Sequence, residues 1–135
     1  MNRLRRTFRL ILAELNTPSA QRDQWFLWCA AQMAHALIGA VLAGALMFFI
    51  PAWWAFGTAA LGYALLKELP DFLQNRTWAN ARDCTQDALF VAAGAALAVA
   101  LKGEHVTLFL TAVFAAAIGL AWGAAVRLKG AGNAG

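Results

Sequence analysis

His35, Glu68 and Asp87 are the side chains here best suited to chemistry away from water. One imidazole and two carboxylates are donor types that hold hard or borderline divalent cations. Lys67, Asp71 and Asp83 stand near them, so that four acids face one lysine and one histidine. Glu68 and Asp71 are three apart and Asp83 and Asp87 four apart, spacings that put each pair on one face of a helix. Such an excess of negative charge in a medium of low dielectric must be offset by protons, by arginines from a loop, or by a bound cation. No HExxH spacing, nucleophile motif or phosphate-cradling glycine loop accompanies these residues.

The medium follows from composition. The chain has 135 residues, 61% of them hydrophobic and 13% charged, far from the soluble average of roughly 45–50% and about 25%. A soluble domain of this size cannot hide that much apolar surface, whereas lipid accepts it. Four apolar segments stand out, at 25–50, 52–69, 88–101 and 106–126. If each crosses a bilayer, ten of the eleven basic residues fall on one side and only Lys102 on the other. Short basic loops stay cytoplasmic, so both termini are expected in the cytoplasm of a bacterial inner-membrane protein. The net charge of +4 flanks the segments and forms no dense patch, which favours anionic lipid as partner and disfavours nucleic acid.

This frame sets the depth of the polar residues. His35 lies nine residues past Phe26, about 13 Å into its segment at ~1.5 Å per residue. Glu68 lies fifteen residues past Trp53, and Asp87 fourteen residues before Leu101, each about 21–22 Å from the outer boundary. All three therefore belong to the cytoplasmic leaflet. Ionisable groups at membrane depth cost several kcal/mol unless paired or hydrated, so their convergence marks a functional cluster. Other assignments compete. Asp71 and Asp83 fit hydration at helix ends, and an aspartate there also complements the helix dipole. Glu68 and Asp87 fit ion pairs with Lys67 or Arg82. His35, beside Gln32 on one face, fits an interhelical hydrogen bond, and His105 fits a hydrated outer turn.

The expected fold is an all-α membrane protein. An amphipathic interfacial helix over 1–16 precedes a four-helix transmembrane domain over 17–129 and a disordered tail over 130–135. Leu4, Phe8, Ile11 and Leu15 form the apolar stripe of the first helix, with Arg3, Arg5, Arg6 and Arg9 available to lipid phosphates. Arg9 and Glu14 interrupt what would otherwise resemble a signal peptide, and no small-residue cleavage site follows. Thr17 and Pro18 suit a helix start, Pro51 a break, and 72–82 a polar cytoplasmic loop ahead of a third span beginning near Asp83. Cys29 and Cys84 lack metal or redox spacing and are expected to pack as small apolar groups. Gly39, Gly44, Gly57, Gly62, Gly94 and the Gly119–Gly123 GxxxG pair permit close helix contact, within one chain or between copies in a homo-oligomer.

An inward histidine, a helix ending Lys67-Glu68-Leu69-Pro70-Asp71, and Arg82-Asp83 with Asp87 and Gly94 resemble the YfiM-like and VanZ-like groups of small membrane proteins. The resemblance covers roughly 33–97. It implies a helical membrane protein of the kind linked to glycopeptide tolerance, and brings no settled chemistry. Val91 stands where VanZ-like helices carry an asparagine, and the chain lacks the lipobox of the YfiM-like lipoproteins. The leading expectation is a cluster of His35, Lys67, Glu68, Asp71, Asp83 and Asp87 that binds a divalent cation, a lipid headgroup or a membrane partner. Glu68, Asp87 and His35 would be the metal ligands. Three other readings use the same residues. One is a phage holin-like permeabilising protein. Another is a metal-dependent enzyme acting on lipid-linked phosphate, with His35 as acid–base and Glu68, Asp83 and Asp87 as ligands. The last is an oligomeric channel or transporter unit.

Overall fold

A computed structural model describes residues 25–132. The amphipathic helix expected over 1–16, with Arg3, Arg5, Arg6 and Arg9, lies outside the described residues. Those described are all-helical, with no strand among them. Helix α1 runs Trp25–Leu46 and α2 runs Ala52–Tyr63; a π-helical turn, Ala64–Glu68, leads directly into the short α3, Leu69–Gln74. Helix α4 runs Trp78–Lys102 and α5 runs Val106–Gly132.

Three of these helices, α1, α4 and α5, are long and apolar enough to cross a membrane. In α5 only 11% of the apolar window is buried within the protein, and Phe114, Ile118 and Trp122 are exposed. Apolar surface on that scale is what a lipid-facing protein shows. The fourth expected span is built differently. From 52 to 74 the chain is helical throughout, but its apolar part ends at Leu66, fifteen residues or about 22 Å along, short of a hydrocarbon core of roughly 30 Å.

Two other boundaries differ from expectation. The segment 72–82 is not a loop: α3 continues to Gln74 and α4 already starts at Trp78, five residues before Asp83. The cause is local capping. Thr77 accepts a hydrogen bond from the Asn80 backbone N–H at 3.2 Å, and the Asn80 side-chain amide donates to the carbonyls of Asp71, at 3.1 Å, and Asn75, at 2.9 Å. Asn80 thus closes both ends of a two-helix corner whose backbone groups are otherwise left over. Asn80→Ala should cost about 1–2 kcal/mol, read as a lower thermal midpoint in detergent. At the other end of the chain, α5 continues to Gly132, into the tail expected over 130–135.

By compactness the described residues divide into Gln32–Leu120 and a second unit that holds 25–31 and 121–132. In the larger unit, buried Ala43, Ala59 and Ala95 meet from α1, α2 and α4, and Leu46, Phe56 and Ala98 pack against them. An alanine core lets helix axes approach closely. Gln32 bonds Asp87 near one end of the pair α1–α4, and the Lys102 ammonium donates to the Met47 carbonyl at 2.9 Å near the other. Both pairs are 55 apart in sequence, so α1 and α4 run parallel in constant register. The 52–74 rod runs opposite to α4: Trp53 lies beside His105, with ring centroids 6.2 Å apart, while Glu68 reaches the level of Asp87.

In the smaller unit, Trp28 is buried and the Arg127 guanidinium lies over its ring, 4.1 Å from the centroid. Arg127 also donates to the Gly123 carbonyl at 3.2 Å, and a Cβ at Gly123 would overlap the Trp28 indole. In the larger unit, Gly119 faces the Phe90 ring. The GxxxG pair of α5 therefore seats aromatic rings of its own chain.

Candidate functional site

The π turn explains how Glu68 comes to point inward. In an α-helix, residues five apart are rotated by about 140° from each other, so Tyr63 and Glu68 would face different ways. Here the Leu69 N–H bonds back to the Ala64 carbonyl, the i→i+5 pattern of a π turn. That wider turn brings Tyr63 and Glu68 together. Its sequence cause is Pro70, which has no N–H for the Leu66 carbonyl and would press its ring against it. Glu68 is consequently 5% exposed, a carboxyl buried in the apolar part of the protein.

Helices α1 and α4 supply the other two groups by approaching until backbones touch. A Cβ at Gly39 would overlap the Val91 carbonyl, and one at Gly94 would overlap the Ala36 carbonyl. Gly39 is one turn above His35, and Val91 one turn above Asp87. This crossing sets the His35–Asp87 separation: the imidazole Nδ1 lies 3.7 Å from Asp87 Oδ1.

His35, Glu68 and Asp87 each offer one donor atom, all within 4.8 Å of one another. Gln32, also buried, donates from Nε2 to Asp87 Oδ1 at 2.7 Å and fixes that carboxylate. The Tyr63 phenol and the Cys84 thiol approach the Glu68 carboxyl as hydrogen-bond donors. The Tyr63 ring also packs edge-on against His35, centroids 5.9 Å apart. Three acceptor-capable atoms of this cluster are nonetheless buried without a hydrogen-bond partner: His35 Nδ1, Glu68 Oε1 and Gln32 Oε1. Buried polar atoms are rarely left so, and each costs about 1–3 kcal/mol.

The remaining expected residues are placed elsewhere. Lys67 pairs with Asp71, one turn on, at a half-exposed position, and not with Glu68. Asp83 is half-buried and Arg76 and Arg82 are exposed; none of these belongs to the triad. His105 is exposed at the outer turn, beside Trp53. Sequence reasoning missed Tyr63 and Cys84. For Cys84 a signal was present, since it precedes Asp87 by three and shares its face. For Tyr63 there was none without the π turn.

The electrostatics decide what the cluster requires. Two ionised carboxylates with oxygens within 4.8 Å of each other repel by about 3.5 kcal/mol or more at an effective dielectric of about 20. Lys67 is committed to Asp71. A dication among the three donors would turn the repulsion into attraction and give His35 Nδ1 and Glu68 Oε1 a partner. No family model, curated protein or solved structure matches this chain. The likeness to YfiM-like and VanZ-like proteins rests on the residues quoted above.

Proposed function

We propose that this chain is a small polytopic protein of a bacterial inner membrane, of host or phage, that binds a divalent cation within the cytoplasmic leaflet. His35, Glu68 and Asp87 are the ligands. The carrying observation is one triad, Glu68 buried and His35 and Asp87 half-buried, with its donor atoms within 4.8 Å, two of them, His35 Nδ1 and Glu68 Oε1, buried without a hydrogen-bond partner. Four crossings are part of the proposal. Parallel α1 and α4 require the chain between them to return through the same thickness, and 52–74 is the segment available. Placing Lys67 and Asp71 at the headgroups lets the short apolar rod suffice, with Trp53 and Trp54 at the opposite interface. With four crossings, ten of the eleven basic residues gather on the side of both termini, which would be the cytoplasm.

Metal analysis of the detergent-purified protein is expected to find about one dication per chain, bound saturably. Glu68→Gln combined with Asp87→Asn, which keeps size and removes charge, should weaken binding by at least on the order of 100-fold, since even outer-sphere losses cost 10–100-fold. The variant should insert normally and melt no lower than chelator-stripped wild type, because the carboxylate repulsion is gone. Binding unchanged in that variant sinks the proposal. Hydrolysis of lipid-linked phosphate, abolished by chelation, would identify the same site as an enzyme's.

A further inference from the structure

We infer that the site selects a first-row transition dication of the zinc, cobalt or manganese kind over magnesium and calcium. The inference rests on the cation reading above and adds the chemical class. Calcium takes about 6–8 oxygen ligands, and magnesium prefers an octahedral oxygen shell that keeps several waters. The triad instead offers one imidazole nitrogen and two carboxylates, with Gln32, Tyr63 and Cys84 beside them. Imidazole is the donor that separates transition dications from alkaline-earth ones, and two carboxylates disfavour soft monovalent copper. Against magnesium the spacing agrees: octahedral bonds of ~2.1 Å hold neighbouring donors about 3.0 Å apart and tetrahedral ones about 3.4 Å, and His35 Nδ1 lies 3.7 Å from Asp87 Oδ1. Against calcium the argument is the imidazole donor and the small number of oxygen ligands.

The surroundings match such a site. The Gln32 amide holds Asp87, which is how outer groups fix ligand orientation, and Tyr63 and Cys84 stand beside Glu68. Charge also closes: two carboxylates and one dication leave no net charge at membrane depth.

The test uses the full chain in detergent, stripped with chelator and titrated calorimetrically with Zn2+, Co2+, Mn2+, Mg2+ or Ca2+ alone. Zinc and cobalt are expected to bind at least about 100-fold more tightly than magnesium or calcium. The cobalt form should show the intense visible absorption of tetrahedral coordination. His35→Ala should reduce the preference to under about ten-fold. Pulsed EPR of the Mn2+-loaded wild-type protein needs no variant and should show coupling to an imidazole nitrogen. Magnesium or calcium binding as tightly as zinc overturns the selectivity and leaves the cation reading standing; failure of every dication to bind overturns both. A preference unchanged in His35→Ala, or no nitrogen coupling, also overturns the inference.

Discussion

Gly94→Leu is expected to lower stability by about 3 kcal/mol or more and to abolish cation binding with it. The position faces the Ala36 carbonyl so closely that even a Cβ overlaps it. A clash with backbone cannot be relieved by a rotamer change, so α1 and α4 must separate. Separation moves His35 and Gln32 of α1 away from Asp87 of α4. The measurement is thermal denaturation in detergent with dication titration, and Gly39→Leu should behave alike. Gly44→Leu is the control: nothing lies within 4 Å of a Cβ there, so the change should stay within about 0.5 kcal/mol. Equal melting of the Gly94 and Gly44 variants would mean that the helices do not cross at Gly39 and Gly94.

Pro70→Ala should separate stability from binding. Proline inside a helical run costs about 3 kcal/mol, and its removal lets the Leu66 carbonyl regain a donor. The π turn then reverts to α-helical geometry, and each residue beyond it rotates by about 100°. Glu68 would leave the triad and lose its approach to Tyr63. Dication affinity should fall by on the order of 10–100-fold while the melting temperature holds or rises. A variant that melts higher and binds as tightly as wild type would refute the role given to Pro70. One that melts lower would show that the wider turn is held by the surrounding packing instead.

Parts of this were legible in the residues alone. Helical content and membrane character follow from long apolar runs, because lipid forces the backbone to satisfy its own hydrogen bonds. The shared depth of His35, Glu68 and Asp87 follows from counting at a fixed rise per residue, whatever the packing. Which polar residues would meet was not available in that way. Counting places Lys67 beside Glu68, but the ammonium turned one residue-turn further to Asp71.

Rotation about a helix axis and distance between axes belong to the tertiary structure. Glu68 and Tyr63 share a face only because a proline-induced π turn changes the residues per turn, which no fixed helical period anticipates. Gly39 and Gly94 read in sequence as two small residues among many. Only packing distinguishes them from Gly44, Gly57 and Gly62, whose Cβ positions are open. The chain's own order thus determined that it is helical, lipid-embedded and polar at one level. The tertiary structure decided that three of those polar groups converge, because the close approach of the α1 and α4 backbones at Gly39 and Gly94 is a property of two segments together.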